Sequence, residues 1–203
     1  MKLRYLYFED LKRDSQYLKS LLKHFDDNNV LLINLVQGSR KVEIDFEIEN
    51  YIIYNVYDLL DNIVNFDKAV YEIFPNLYIL PSSFKARDEI IDVDKIIESI
   101  PEDEDYEFDY IFVIYDEYIK LKDSAEKIVF TSDENTIKTT ICPHRLVVID
   151  AKINANMNNI IGRIREKELE KSLYTIAENI KNDTVMDNSS ESFIDKIKKF
   201  FEK

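Results

Sequence analysis

The stretch Val30-Leu31-Leu32-Ile33-Asn34-Leu35-Val36 decides the fold class. Its apolar side chains run without alternation, so a strand here needs cover on both faces. The same texture recurs at Leu77 to Leu80, closed by Pro81, and at Tyr110 to Tyr115, Ile128 to Thr131 and Leu146 to Ile149. Residues 3–8 read as a further short strand. Helical spacing predicts a helix capped by Asp14 or Ser15 and running through about Phe25, with Leu18, Leu21, Leu22 and Phe25 on one face. Val56 to Val70, Asp92 to Ile100 and Glu166 to Ile180 supply three more. Apolar strands alternating with helices predict an α/β fold: a three-layer, mostly parallel twisted sheet with helices on both faces.

Composition narrows the function classes. The 203-residue chain is 45% hydrophobic, enough to bury one full core. It holds only two glycines, Gly38 and Gly162. A Gly-rich phosphate loop needs several residues without a Cβ, so that class is excluded. A net charge of −13 argues against nucleic-acid binding, which needs clustered Lys and Arg. A single cysteine, Cys142, forms no internal disulfide, as expected in a reducing cytoplasm. The first ten residues lack the apolar run of a signal peptide, and no stretch approaches the ~20 apolar residues of a membrane span.

The end of the chain changes character. Residues 182–192 (NDTVMDNSSES) are polar and aperiodic and read as a flexible linker after a body of residues 1–181. Residues 193–203 (FIDKIKKFFEK) read as an amphipathic helix. At 100° per residue, Phe193, Ile194, Ile197, Phe200 and Phe201 fall within about 120° of arc, and every charge falls outside it. Lys196, Lys198, Lys199 and Lys203 against Asp195 and Glu202 give this segment +2, leaving −15 on the remainder.

Residues 30–61 resemble, without a gap, the MinD branch of the MinD/ParA ATPases. In that family a strand ending in Asp-x-Asp is followed by Gly, Arg and a Leu-Glu-Asn-x-Ile-Val-Tyr-Asp stretch. Here the order is Val30 to Ile33, Gly38, Arg40, then Ile48-Glu49-Asn50-Tyr51-Ile52-Ile53-Tyr54-Asn55. Asn76-Leu77-Tyr78-Ile79-Leu80-Pro81-Ser82-Ser83, with Arg87-Asp88 nearby, is similar to the family's Asn-Leu-Tyr-Leu-Leu-Pro-Ala-Ser. Phe108-Asp109-Tyr110-Ile111 looks like the start of its Walker B strand, and Ile128 to Thr131 resembles the strand after it. The resemblance covers roughly residues 1–165 and implies a P-loop NTPase-like sheet.

The departures fall on the nucleotide motifs. Where the family has a KGGxGKT-like loop, this chain has Tyr7-Phe8-Glu9-Asp10-Leu11-Lys12-Arg13. Lys12 aligns with the phosphate-binding lysine, but the glycines are gone and two acids stand where phosphate oxygens would lie. The Asp-x-Asp pair is Asn34 and Val36, and the Walker B aspartate position is Ile114. Phosphoryl transfer needs a phosphate cradle and a carboxylate to hold Mg²⁺. Tyr7, Lys12, Asn34, Val36 and Ile114 therefore mark a degenerate nucleotide site, with no catalytic residue, cofactor or metal expected. The opposing reading is an atypical NTPase using Lys12, Arg13 and Arg40.

By the same resemblance, the tail binds the membrane surface. Phe193, Ile194, Ile197, Phe200 and Phe201 would enter the headgroup boundary, while Lys196, Lys198, Lys199 and Lys203 meet anionic lipid. Eleven residues make a marginal anchor, which implies two copies, a homodimer or a mixed dimer with a MinD relative. The expectation is a cytoplasmic protein, peripheral on the inner face of the membrane, that positions or scaffolds division or secretion machinery. An accessory subunit paired with a true MinD-like ATPase, or one localising secretion or pilus machinery, is the alternative.

Other candidates read as structural. Cys142 and His144 flank Pro143 without a third orienting group. His24 sits favourably near a helix C-terminus. The acidic runs Glu102 to Glu107 and Asp116-Glu117 lack calcium-loop spacing and read as solvated connectors. Tyr51, Tyr54 and Tyr57, spaced by three, read as helix packing or as part of a partner surface.

Overall fold

The computed structural model describes residues 1–88, 90–102, 106–116, 119–121, 125–140, 144–149 and 159–186. Eight strands form one sheet. They are β1 (Lys2–Phe8), β2 (Val30–Asn34), β3 (Tyr71–Phe74), β4 (Leu77–Leu80), β6 (Tyr110–Ile114), β8 (Lys127–Thr131), β9 (Arg145–Ile149) and β10 (Ile160–Ile164). Their spatial order is β10-β9-β8-β1-β6-β2-β4-β3. Every pair is parallel except β3 with β4, so the expected mostly parallel sheet is present. Two short strands, β5 (Ile91–Asp92) and β7 (Ile119–Lys120), pair separately.

Side chains alternate between two cores. Leu6, Leu32, Phe112, Phe130 and Val147 face α1 (Leu11–Leu22), α2 (Lys41–Asp45) and α7 (Leu169–Lys181). On the other face Tyr5, Leu31, Ile33, Ile111 and Val113 meet α3 (Val56–Leu60), α4 (Phe66–Ala69) and α5 (Val93–Glu98). Val129, Leu146 and Val148 continue that face under Ile137 of α6 (Glu134–Thr139). Both faces being covered explains why β2 and β6 are buried throughout. No helix among the described residues is long and apolar enough to cross a membrane.

Several boundaries differ from the sequence expectation. The first helix begins at Leu11, not after Asp14 or Ser15, because Asp10 is its cap and Asp14 and Ser15 are buried inside it. A 3₁₀ turn, Lys23–Phe25, finishes it. The helix expected over Val56 to Val70 is two short ones, interrupted where Asn62 takes φ 57° and leaves Ile63 exposed. β3, β5, β7, β10, α2 and α6 are elements that the sequence pattern does not predict. β10 contains Gly162, and a Cβ there would lie 2.0 Å from Ile176 Cγ1. The missing side chain lets α7 rest directly on the sheet. The first residues of the expected linker are held: Asp183 pairs with Lys2 and Arg4, and the Met186 N–H donates to the Ile160 carbonyl at 2.7 Å.

Candidate functional site

In parallel sheets a crevice opens where consecutive connections leave in opposite directions, at the carboxyl ends of the strands. From β1 the chain passes through α1 to β2, on one side of β1. From β6 it returns to β8, on the other side. The carboxyl ends of β1, β6 and β2 accordingly enclose a cleft of about 310 Å³, lined by Tyr7, Phe8, Glu9, Leu11, Val36, Ile114, Tyr115 and Asp116. No lysine or arginine is among these residues.

The loop between β1 and α1 is short and occupied by its own acids. Asp10 caps α1, its carboxylate accepting from the Arg13 amide at 3.2 Å. That amide is one that an anion at a helix N-terminus would otherwise use. Glu9 is turned toward the next strand, where its carboxylate accepts from the Thr131 and Thr136 hydroxyls. Its amide donates to the Phe130 carbonyl at 3.1 Å. Glu9 and Asp116 give the cleft a negative lining. At an effective dielectric near 20, a phosphate charge about 6 Å from one carboxylate is repelled by roughly 3 kcal/mol.

Behind the cleft, the end of β2 is locked by a buried network. Asn34 Nδ2 donates to Glu43 Oε1 at 2.9 Å, and the Ser82 amide donates to the same oxygen at 2.9 Å. Asn34 Oδ1 accepts the Val36 amide, and the Ser82 hydroxyl donates to the Val36 carbonyl at 2.7 Å. Glu43 is fully buried, and its Oε2 has no partner among the described residues. Burial pushes the Glu43 carboxyl above its ordinary range, opposed by the hydrogen bonds from Ser82 and Asn34. Beyond Val36, the Gln37 amide donates to Asp116, and Gly38 turns the chain at φ 66°.

The five positions marked in the sequence therefore separate. Tyr7, Val36 and Ile114 line the cleft. Asn34 lies beneath it in the Glu43 network. Lys12 is exposed on the first turn of α1 and does not line the cleft. Arg13 forks onto buried Asp14, with Nη2 at 2.7 Å from Oδ2, and this hydrogen bond raises its pKa. Arg40 donates to the Glu49 carbonyl at 3.1 Å and lies over the Phe84 ring. Lys12, Arg13 and Arg40 do not converge on this cleft. Glu43, Ser82, Thr131 and Thr136 went unmarked because their partners lie 9 to 127 residues away.

The remaining candidates are scattered. Tyr57 is buried under the Arg87 guanidinium, 4.4 Å above its ring, whereas Tyr51 is exposed. Arg87 in turn forks onto Asp61 and lowers that carboxyl's pKa. His24 lies edge-on to Tyr174, with Nε2 3.8 Å from Glu170. His144 borders a second cleft, and burial and Lys127 lower its pKa. Cys142, Pro143, Glu117, residues 103–105, the linker from 187 on and the whole of 193–203 lie outside the described residues. No group of three or more His, Cys, Asp or Glu side chains is placed to hold a metal among the described residues.

Solved structures identify the architecture. MinD of Aquifex aeolicus, in a MinC:MinD cell division complex, superposes with a TM-score of 0.64 at 15% identity, over 92% of this chain and 98% of that one. The fold is that of MinD. A Borrelia burgdorferi plasmid partition protein, solved bound to AMPPNP, gives 0.63 at 17% identity, over 90% of this chain and 100% of that one. The Pyrococcus furiosus cell division ATPase MinD gives 0.56 at 12% identity, over 90% and 99%. No family sequence model matches the chain, and no curated protein matches it significantly.

Proposed function

We propose that this chain is a MinD-like protein that neither binds nor hydrolyses nucleotide and works as a positioning scaffold on an anionic membrane surface. The observation that carries the reading is the β1–α1 loop. By the family resemblance its acids stand at the sequence positions of a phosphate loop; in the structure Asp10 caps the helix amide, and Glu9 is fastened to Thr131 and Thr136. A triphosphate would have to displace these contacts and face an acid-lined cleft without a cation in its lining. The sequence of 193–203 supports the membrane part, because it joins an apolar stripe to four lysines on an acidic body. Such a short anchor favours paired copies, as a homodimer or with a MinD relative, and division or secretion machinery as the cargo.

Co-sedimentation of the full chain with phosphatidylglycerol-containing vesicles tests this. Binding is expected with or without Mg-ATP, and it should fall sharply in a Phe200→Ser, Phe201→Ser variant or on neutral vesicles. Equal binding by that variant would remove the tail from the account.

A further inference from the structure

A groove of about 600 Å³ lies at the opposite end of the sheet from the cleft, beside the amino end of β6. Its floor is apolar, from Ile97, Ile100 and Phe108, and Glu98, Glu102 and Glu107 stand exposed around it. Among the described residues no lysine or arginine pairs with these three glutamates. The fourth acid in the lining, Asp109, is already committed, because its carboxylate accepts the Asn29 amide at 2.9 Å.

We infer that this groove is the intramolecular dock of the chain's own C-terminal segment, residues 193–203, and that docking there competes with the membrane. The inference rests on the amphipathic reading of that segment in the proposed function. Charge complementarity is the first argument. An apolar floor rimmed by acids matches one apolar stripe flanked by Lys196, Lys198 and Lys199. The route of the chain is the second. Asp183 pairs with Lys2, whose amide donates to the Asp109 carbonyl at 2.7 Å, and Met1 lines the groove. The described chain then ends at Met186, hydrogen-bonded to Ile160 at the start of β10, also at the amino end of the sheet.

Reach decides whether the dock is accessible. Four strand spacings separate β10 from β6, about 19 Å. From Met186 to Phe193 is seven residues, which extend to about 24 Å. The segment reaches the groove with little slack. A tether this near full extension holds the segment below the ~1 mM typical of relaxed short linkers, so an intrinsic dissociation constant well under about 100 µM is what keeps most chains docked. The same apolar stripe cannot face the groove and the lipid together. Docking thus keeps a sticky helix covered until an anionic surface competes for it.

Disulfide trapping in the full chain tests the dock. In a Cys142→Ser background, Glu102→Cys with Lys199→Cys should oxidise to an intrachain disulfide at least fivefold faster than Lys138→Cys with Lys199→Cys. Lys138 lies on α6, away from the groove. Replacing Ile97 and Ile100 by Ser should slow trapping of the first pair toward the control. Equal rates for the two pairs overturn the inference, as does a trapping rate that ignores the groove substitutions. Phosphatidylglycerol vesicles added to the trapping reaction should suppress the groove disulfide. Trapping that persists unchanged where co-sedimentation shows bound protein overturns the competition. Trapping without any vesicle binding would retire the membrane reading and leave the dock standing.

Discussion

Glu43→Ala should be among the most damaging single substitutions in this chain. Glu43 Oε1 is the shared acceptor for Asn34 Nδ2 and the Ser82 amide, and all three groups are buried. Truncation leaves two buried donors without a partner, at about 1–3 kcal/mol each, so the expected loss is about 2–6 kcal/mol. Glu43→Gln keeps an oxygen at that position and separates hydrogen bonding from charge. Burial holds the native Glu43 carboxyl above its ordinary range, so the folded chain binds this proton more tightly than the unfolded chain. As pH rises from about 4.3 toward the raised native value, Glu43 makes stability fall, and below that window it adds no slope. Glu43→Gln cannot ionise, so its stability relative to the parent should improve steadily as pH rises through the window. Urea unfolding of the three proteins at several pH values from 4 to 8 reads both effects. A Glu43→Ala cost under about 0.5 kcal/mol, within the range of ordinary surface changes, would refute the network. So would a Glu43→Gln curve parallel to the parent's.

Gly162→Ala should cost about 1–3 kcal/mol in urea unfolding, because its Cβ meets Ile176 Cγ1 at 2.0 Å. Combining it with Ile176→Ala should be less damaging than the sum, with a coupling of about 0.5–3 kcal/mol. Asp10→Ala removes the α1 cap and should cost about 1 kcal/mol by the same assay. Asp183→Ala should cost less than about 1 kcal/mol, since its pairs with Lys2 and Arg4 are partly exposed.

The sheet was legible in the sequence because its central strands are buried on both faces and so read as continuous apolar runs. The edges were not. β3 alternates half-buried and exposed residues over only four positions, too few to separate a strand from a loop. β10 carries Gly162 at its centre, a residue type that weakens a strand signature, and the glycine serves the packing of α7. The stretch from Val56 to Val70 carries helical spacing, but Asn62 adopts a left-handed conformation that local spacing does not encode. The resemblance marks Tyr7, Val36 and Ile114 by position alone, and what the structure adds is that these three side chains line one cleft. Glu43 could not be found that way. A glutamate in a polar-looking loop gives no local sign that Asn34 and Ser82 will close over it.

Titration calorimetry of the full chain with ATP and Mg²⁺ tests the central claim most directly. The account predicts no heat of binding, meaning a dissociation constant weaker than about 1 mM. Micromolar binding that disappears in Lys12→Ala would contradict it and make the acid-lined loop a working nucleotide site.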